Sequence, residues 1–438
     1  VINGKLYYRE YKREIQGVDK MNSNCIVAQS GGPTPIINAS LQGVIESSLK
    51  SKKIDKIYGA RFGIKGIITG KIFDLTEEDK EQIDLLKNTP GSILGSCRYK
   101  LKHFNKNTAD YKKIFKIFEK YNIKYFFYIG GNDSMDTVDK LSKYARSNKK
   151  NINIIGIPKT IDNDLVITDH SPGFGSAAKY IATSVMETAL DSRVYQRQNV
   201  HLIEVMGRHA GWLAAASALA GQSGLNTPDL IYFPELVFST DKFINDLKKE
   251  AEKKDNIVVV ISEGIKNDKG QYISASETSK HDQFGHKQMG GAAHSLVPYV
   301  RKYIFKRVKV IEFNVLQRAC NHSASLIDLK EAYNCGRKAV EIVSHRQQTG
   351  KTIIIKRISN DPYKSEITYE DVDKIANKEK KIPRDWINKE GNFVTEQAIK
   401  YLSPLIKGEP TNKSKNGLPQ YSNIKAAATV RHKYEMKV

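Results

Sequence analysis

The run Pro158-Lys159-Thr160-Ile161-Asp162-Asn163-Asp164 places two carboxylates two residues apart, with a lysine just ahead of them. It follows Asn153-Ile154-Ile155-Gly156-Ile157, a short apolar stretch that reads as a buried strand. A sharp turn leaving such a strand aims its side chains into the crevice where open α/β sheets bind ligands. One carboxylate can there take a proton from a hydroxyl while the lysine neutralises a phosphate. Alone, a D-x-D turn describes an Asx-rich surface loop better than a site. Its companions reverse that reading.

Two of these are glycine turns. Ser30-Gly31-Gly32 joins the apolar run Cys25 to Gln29 to a helix-like stretch from Ile36 to Leu49. Gly130-Gly131-Asn132-Asp133-Ser134 follows the fully apolar Tyr125-Phe126-Phe127-Tyr128-Ile129. Glycines at such turns let backbone N–H groups approach a phosphate at a positive helix terminus. Neither turn is a P-loop or a G-x-G-x-x-G fingerprint. With the carboxylate loop, the pair predicts a polyphosphate lying across one sheet edge. Arg98, after Gly95-Ser96-Cys97, and Arg208, after Met206-Gly207, add guanidinium groups suited to bidentate phosphate contacts.

These groups need elements to hold them. Apolar runs recur, each ending in a glycine-rich or charged turn: 25–29, 125–129, 154–157, 200–205, 230–233 and 257–261. Helical spacing fills the gaps, as in Ala177 to Leu190, and Ala210 to Ala220 is alanine-rich enough to pack inside. This rhythm predicts a βαβ series with parallel strands, whose post-strand edge carries the chemistry. Lys266 to Gln288 is polar and reads as an excursion from the fold. From about Asn377 the chain is lysine-rich with scattered prolines, predicting isolated helices and loops rather than another domain.

A chain of 438 residues can bury large cores. No run of 18 apolar residues suggests a membrane span. The four cysteines, Cys25, Cys97, Cys320 and Cys335, show no zinc or redox spacing and read as thiols of a reducing cytosol. The formal charge of +22 is distributed rather than blocked. It suits a solvated surface that draws anionic substrates, and no nucleic-acid module accompanies it. Residues 1–23 are charged, lack the apolar core of a signal peptide and read as an extension outside the fold.

In order along the chain, S-G-G-P-T, G-S-C-R, G-G-N-D-S, P-K-T-I-D-N-D, M-G-R-H-A-G, P-E and L-Q-R resemble the motif series of the phosphofructokinase family. The likeness runs from about Cys25 to at least Cys335 and is strongest to bacterial pyrophosphate-dependent members. It implies an α/β fold of two Rossmann-like lobes with parallel-rich sheets facing across a cleft, plus a C-terminal helical elaboration. The lobes would comprise 24–172 with part of 318–375 for the donor, and 173–317 for the sugar phosphate, followed by 376–438 as elaboration. By resemblance, Asp162 accepts the proton of the sugar 1-hydroxyl, Asp164 supports it, and Thr160 contacts substrate. Met206, Gly207, Arg208, Glu235 and Arg318 would hold fructose 6-phosphate. Gly31, Gly32, Arg98, Gly131 and Lys159 would bind the donor pyrophosphate. Magnesium is the implied cofactor, with Asn132 and Asp133 as candidate ligands. The resemblance also implies a cytoplasmic homodimer or homotetramer acting on small molecules, with no nucleic-acid or membrane partner.

Donor choice rests on two positions. ATP-using relatives commonly carry glycine where this chain has Asp133, leaving room for a nucleotide's α-phosphate. Lys159 replaces a second common glycine and can stabilise a leaving phosphate. Three departures stand out. Asn132 replaces a magnesium-binding aspartate, Asn199 replaces a sugar-phosphate arginine, and Gln42 and Glu46 replace effector-binding arginines of regulated relatives. The rival readings are the same reaction with ATP, a non-catalytic regulatory subunit, a dinucleotide oxidoreductase, and a lipid or NAD kinase. The second lacks support because Asp162 and Lys159 are both present. The last two lack their own motifs.

Overall fold

The computed structural model describes residues 23–194, 196–273, 291–345 and 348–425. Most of the expected polar excursion and the amino-terminal extension therefore lie outside the described residues. In chain order the main strands are β1 (Ser23–Gln29), β2 (Ile54–Ala60), β3 (Ile72–Asp74), β4 (Ile123–Gly130), β5 (Asn153–Pro158), β6 (Asn199–Val205), β7 (Leu230–Tyr232), β8 (Asn256–Ser262), β9 (Val308–Glu312), β10 (Lys351–Asn360) and β11 (Tyr363–Asp371).

They form two sheets. The first runs β11-β10-β5-β4-β1-β2-β3, and the second runs β7-β8-β6-β9. Every pairing in the second sheet is parallel. In the first, only the outermost strands β3 and β11 pair antiparallel. Such sheets need cover on both faces, which explains the unbroken apolar runs. Along β4, Tyr125, Phe127 and Ile129 enter one core cluster while Phe126 and Tyr128 enter the other. Full burial of one such phenyl ring contributes about 1.5–3 kcal/mol.

Register then places the chemistry. Gln29 stands opposite Ile129, and Gly130 opposite Pro158. The two glycine turns and the lysine–carboxylate loop therefore leave β1, β4 and β5 side by side. In the second sheet Val205 pairs with Ser262 and Glu204 with Glu312. The turns carrying Met206 to Arg208, Glu263 and Arg318 consequently share one edge.

Strands β2, β3, β9, β10 and β11 are additions to the sequence reading. β3 and β9 are short, and charged or polar residues interrupt β2, β10 and β11. Helix Phe174–Ser192 extends the expected span at both ends. Beyond residue 377 the described chain contains short helices, loops and a two-residue hairpin. It is not outer decoration, however. Ala398, Leu402 and Leu405 are buried with Phe174, Ile181 and Leu213 in the core beneath the second sheet.

One buried charge network ties the reaction loop to the rest of the fold. His170 Nε2 lies 2.6 Å from Glu331 Oε2 and its Nδ1 lies 2.8 Å from Asp169 Oδ2. Burial alone would lower its pKa, but the Glu331 and Asp169 carboxylates outweigh that and raise it to about 9. The folded value exceeds the ordinary one of about 6.5. The charge therefore stabilises fully below about pH 6.5, and the contribution is lost as pH rises through about 9. For His170→Gln, the stability deficit against the parent protein should shrink by roughly 3 kcal/mol between pH 6 and pH 10. Urea unfolding at the two pH values measures it.

Candidate active site

The sheet edges enclose a cleft of about 980 Å³. Its lining includes Gly31, Gly32, Arg98, Gly131, Asn132, Asp133, Lys159, Thr160, Asp162, Asp164, Met206, Arg208 and Arg318. Residues far apart in sequence thus converge, although Gly207 and Glu235 are not among those lining the cleft.

The reaction loop owes its shape to Asn163, whose φ of +53° is a left-handed conformation that asparagine tolerates. The Asn163 side chain is buried, accepts from Ser171 N at 3.0 Å and donates to the Tyr401 hydroxyl at 3.2 Å. Turning the middle residue inward leaves Asp162 and Asp164 lining the cleft. Thr160 Oγ1 accepts from Asp162 N at 3.0 Å, closing the turn. Burial raises the pKa of Asp162 against the opposing pull of Lys159 and Arg208. Asp164 rises to about 7, through burial and then the negative charge of Asp162. Two neighbouring carboxyls with raised pKa values are better proton acceptors than free carboxylates.

Lys159 is buried beneath the first glycine turn, its ammonium donating to Gly32 O at 2.6 Å. A Cβ on Gly31 would come within 3.2 Å of that nitrogen, and Gly31 has φ +76°, so both space and backbone call for glycine. Burial lowers Lys159 to about 8, while Asp162 and Asp164 hold it up. It stays mostly protonated at pH 7. Arg318 reaches the same turn, since a Cβ on Gly32 would lie 3.4 Å from its Nη1. Arg98 is near enough to disfavour the charge of both Lys159 and Arg318. Three crowded cations beside backbone glycines make a receptor for a multiply charged anion. Arg318, expected at the sugar phosphate, therefore lies where it can serve the donor as well.

Asp133 sits in the first turn of helix Asn132–Ser147. Its carboxylate thus complements the positive helix end, a place where glycine-turn folds otherwise receive a ligand phosphate.

Two expected ligands are placed differently. Glu235 does not line the cleft. Its Oε1 accepts from Gly211 N at 2.8 Å and Ile382 N at 3.2 Å, fastening two chain segments together. Asn132 does line the cleft, but its amide is engaged: Oδ1 accepts from Asn377 N at 2.7 Å and Nδ2 donates to Lys378 O at 2.6 Å. It is therefore not available to a metal as drawn from the sequence. Asn199 begins β6, at the end away from the cleft. Gly207 contributes backbone only. Its φ of +137° and the nearness of Ala210 O leave no room for a side chain.

The residue that the sequence reading missed is Glu263. It lines the cleft, and its Oε1 accepts from Gly207 N at 3.4 Å. Burial and the charge of Asp162 raise it to about 7. Like Glu235 it follows an apolar run, but Glu235 is assigned through its family-like P-E motif, which Glu263 lacks. Glu379 and Asn377 also reach the cleft, from the tail.

Among the described residues no group of three or more His, Cys, Asp or Glu side chains is arranged to hold a metal ion. Magnesium commonly needs only one or two carboxylates when substrate phosphates complete its shell. The cleft residues Asp133, Asp162 and Asp164 fit that donor set. Also among the described residues, no helix is long and apolar enough to cross a membrane.

This cleft, with its lysine–carboxylate loop and glycine turns on parallel sheets, defines a sugar-phosphate phosphotransferase fold. The chain belongs to the phosphofructokinase family, whose sequence profile matches residues 24–343. It is 41% identical to the pyrophosphate–fructose 6-phosphate 1-phosphotransferase of Halomonas elongata, covering 95% of this chain and 98% of that protein. The namesake from Xanthomonas campestris is 40% identical, over 94% and 98%. The crystal structure of a pyrophosphate-dependent phosphofructokinase from Nitrosospira multiformis superposes with a TM-score of 0.84 at 38% identity, covering 92% of this chain and 97% of that one.

Proposed function

We propose that this protein transfers a phosphoryl group reversibly from pyrophosphate to the 1-hydroxyl of fructose 6-phosphate, giving fructose 1,6-bisphosphate and phosphate. The observation that carries this reading is Asp133 at the helix end facing the donor turns, with Lys159 buried opposite. Asp162 takes the hydroxyl proton as that oxygen forms its bond to phosphorus. The bond from phosphorus to the bridging oxygen breaks, and the departing phosphate leaves among Lys159, Arg98 and Arg318. Phosphoryl transfer rests mainly on alignment and charge stabilisation, which this cation cluster supplies. Met206, Arg208 and Glu263, which line the cleft from the second sheet, would hold the sugar phosphate. Asp133 and Asp164 would help hold magnesium, which when bound would supply further charge neutralisation. The proposal includes cytoplasmic action as a homodimer or homotetramer.

Turnover with pyrophosphate and ATP in parallel, at equal concentration with magnesium, tests the reading. Faster turnover with ATP would overturn the donor assignment. Regulation is also expected to be absent. Gln42 Nε2 donates to Glu46 Oε1 at 2.7 Å, and the Tyr333 hydroxyl donates to the other Glu46 oxygen at 2.5 Å. An internally bonded carboxylate is a poor receptor for an anionic effector. Nucleotides and phosphoenolpyruvate should leave the pyrophosphate-dependent rate unchanged, and a clear response in an activity titration would contradict this.

A further inference from the structure

Residues 376–382 touch three separate parts of the molecule. At the helix that carries Asp133, Asn132 grips the segment through both ends of its amide, accepting from Asn377 N and donating to Lys378 O. Asn377 Nδ2 returns a bond to Asp136 Oδ1 at 2.9 Å. At the reaction loop, Lys380 N donates to Asp164 O at 2.7 Å. The Lys380 ammonium donates to Asp169 O at 2.6 Å and Thr168 O at 3.2 Å. At the second sheet, Trp212 Nε1 donates to Lys380 O at 3.1 Å and Ile382 N donates to Glu235. Between these anchors Glu379 enters the cleft lining, its Oε1 2.9 Å from His209 Nδ1.

We propose that residues 376–382 form a strap that fixes the reaction loop and the Asp133-bearing helix end against the second sheet, with Asn132 and Lys380 as its positioning residues. The inference rests on the phosphotransferase reading above and adds a tail segment to that site. The chemistry at 132 is specific. The site needs one acceptor and one donor at fixed places, which an amide supplies and a carboxylate does not. An aspartate there would set a negative oxygen against the Lys378 carbonyl. Lys380 is equally particular, because its ammonium satisfies backbone carbonyls on the inner side of the loop that presents Asp162. Displacement of a reacting group by about 1 Å can cost roughly a hundredfold in rate.

The experiment compares Asn132→Asp, Lys380→Met and Lys380→Gln with the parent chain, using pyrophosphate and fructose 6-phosphate. Asn132→Asp and Lys380→Met should each lower kcat roughly 10- to 100-fold while both KM values stay within about threefold. A merely structural strap would not produce that split. Amide exchange over residues 160–170 should quicken in Lys380→Met, a readout that needs no activity. If the parent chain does not turn over pyrophosphate, the functional reading fails while the exchange result still decides the strap. Folded Asn132→Asp and Lys380→Met variants with kcat within twofold of the parent would overturn the inference. So would unchanged exchange, and if Lys380→Met does not fold, unchanged exchange over residues 160–170 in the milder Lys380→Gln decides against it.

Discussion

Asp162→Asn should lower kcat by roughly 10²- to 10⁴-fold, with KM for both substrates changed only a few-fold. Asparagine keeps the size of the side chain, and the bond from the residue 162 N–H to Thr160 Oγ1 does not involve the group removed. What disappears is the proposed proton acceptor. Two secondary effects act in the same direction or report on it. Asp162 helps hold the buried Lys159 in its charged form, so its loss lets burial lower that lysine further below about 8. Asp162 also raises Asp164, so the remaining carboxyl should titrate lower in the variant. In the parent enzyme the base works as a carboxylate, and its pKa is raised by burial. The rate should therefore fall as pH drops through that raised value, and the fall should change shape in Asp162→Asn. Steady-state kinetics between pH 5 and 8 read both effects. A variant with near-parental kcat would remove Asp162 from the base role.

Strands buried on both faces were legible because burial forces unbroken apolar runs, and the turns after them kept their glycines for backbone reasons. β10 and β11 were not, since Lys356, Arg357, Glu366 and Glu370 interrupt them, as an outer strand pair permits. Glu235 and Glu263 each follow an apolar run, and only the resemblance of the P-E motif set Glu235 apart. Only the register of β8 beside β6 puts Glu263 into the cleft, and only the tail's Ile382 gives Glu235 a different duty. Asn132 illustrates the same limit. Its identity was legible as a departure from a metal ligand, but its partners lie about 245 residues away in a lysine-rich stretch with no local pattern. Contacts fixed by tertiary return of the chain leave no periodic trace, so the reading failed where the tail meets the cleft.

That contrast sharpens the expectation for Asp133→Gly, which should shift donor preference toward ATP. A carboxylate about 4 Å from a nucleotide's α-phosphate costs about 4 kcal/mol at an effective dielectric near 20. Asp133 is only partly buried, so solvent screens part of this. The ratio of kcat/KM for pyrophosphate to that for ATP should therefore fall by about 10- to 1,000-fold. The substitution also has a folding cost that must be separated from specificity. Asp133 complements the helix end for about 0.3–1 kcal/mol, and glycine in a helix loses about 1 kcal/mol more. A drop in Tm of about 2 °C is thus expected and says nothing about the donor. Because Lys159 and the Gly31–Gly32 turn stay in place, the leaving phosphate is still met by the same cation. A gain in ATP turnover would then measure the space and charge at 133 alone. If the folded variant kept its parental donor ratio, discrimination would have to come from the Arg98–Lys100 wall of the cleft instead.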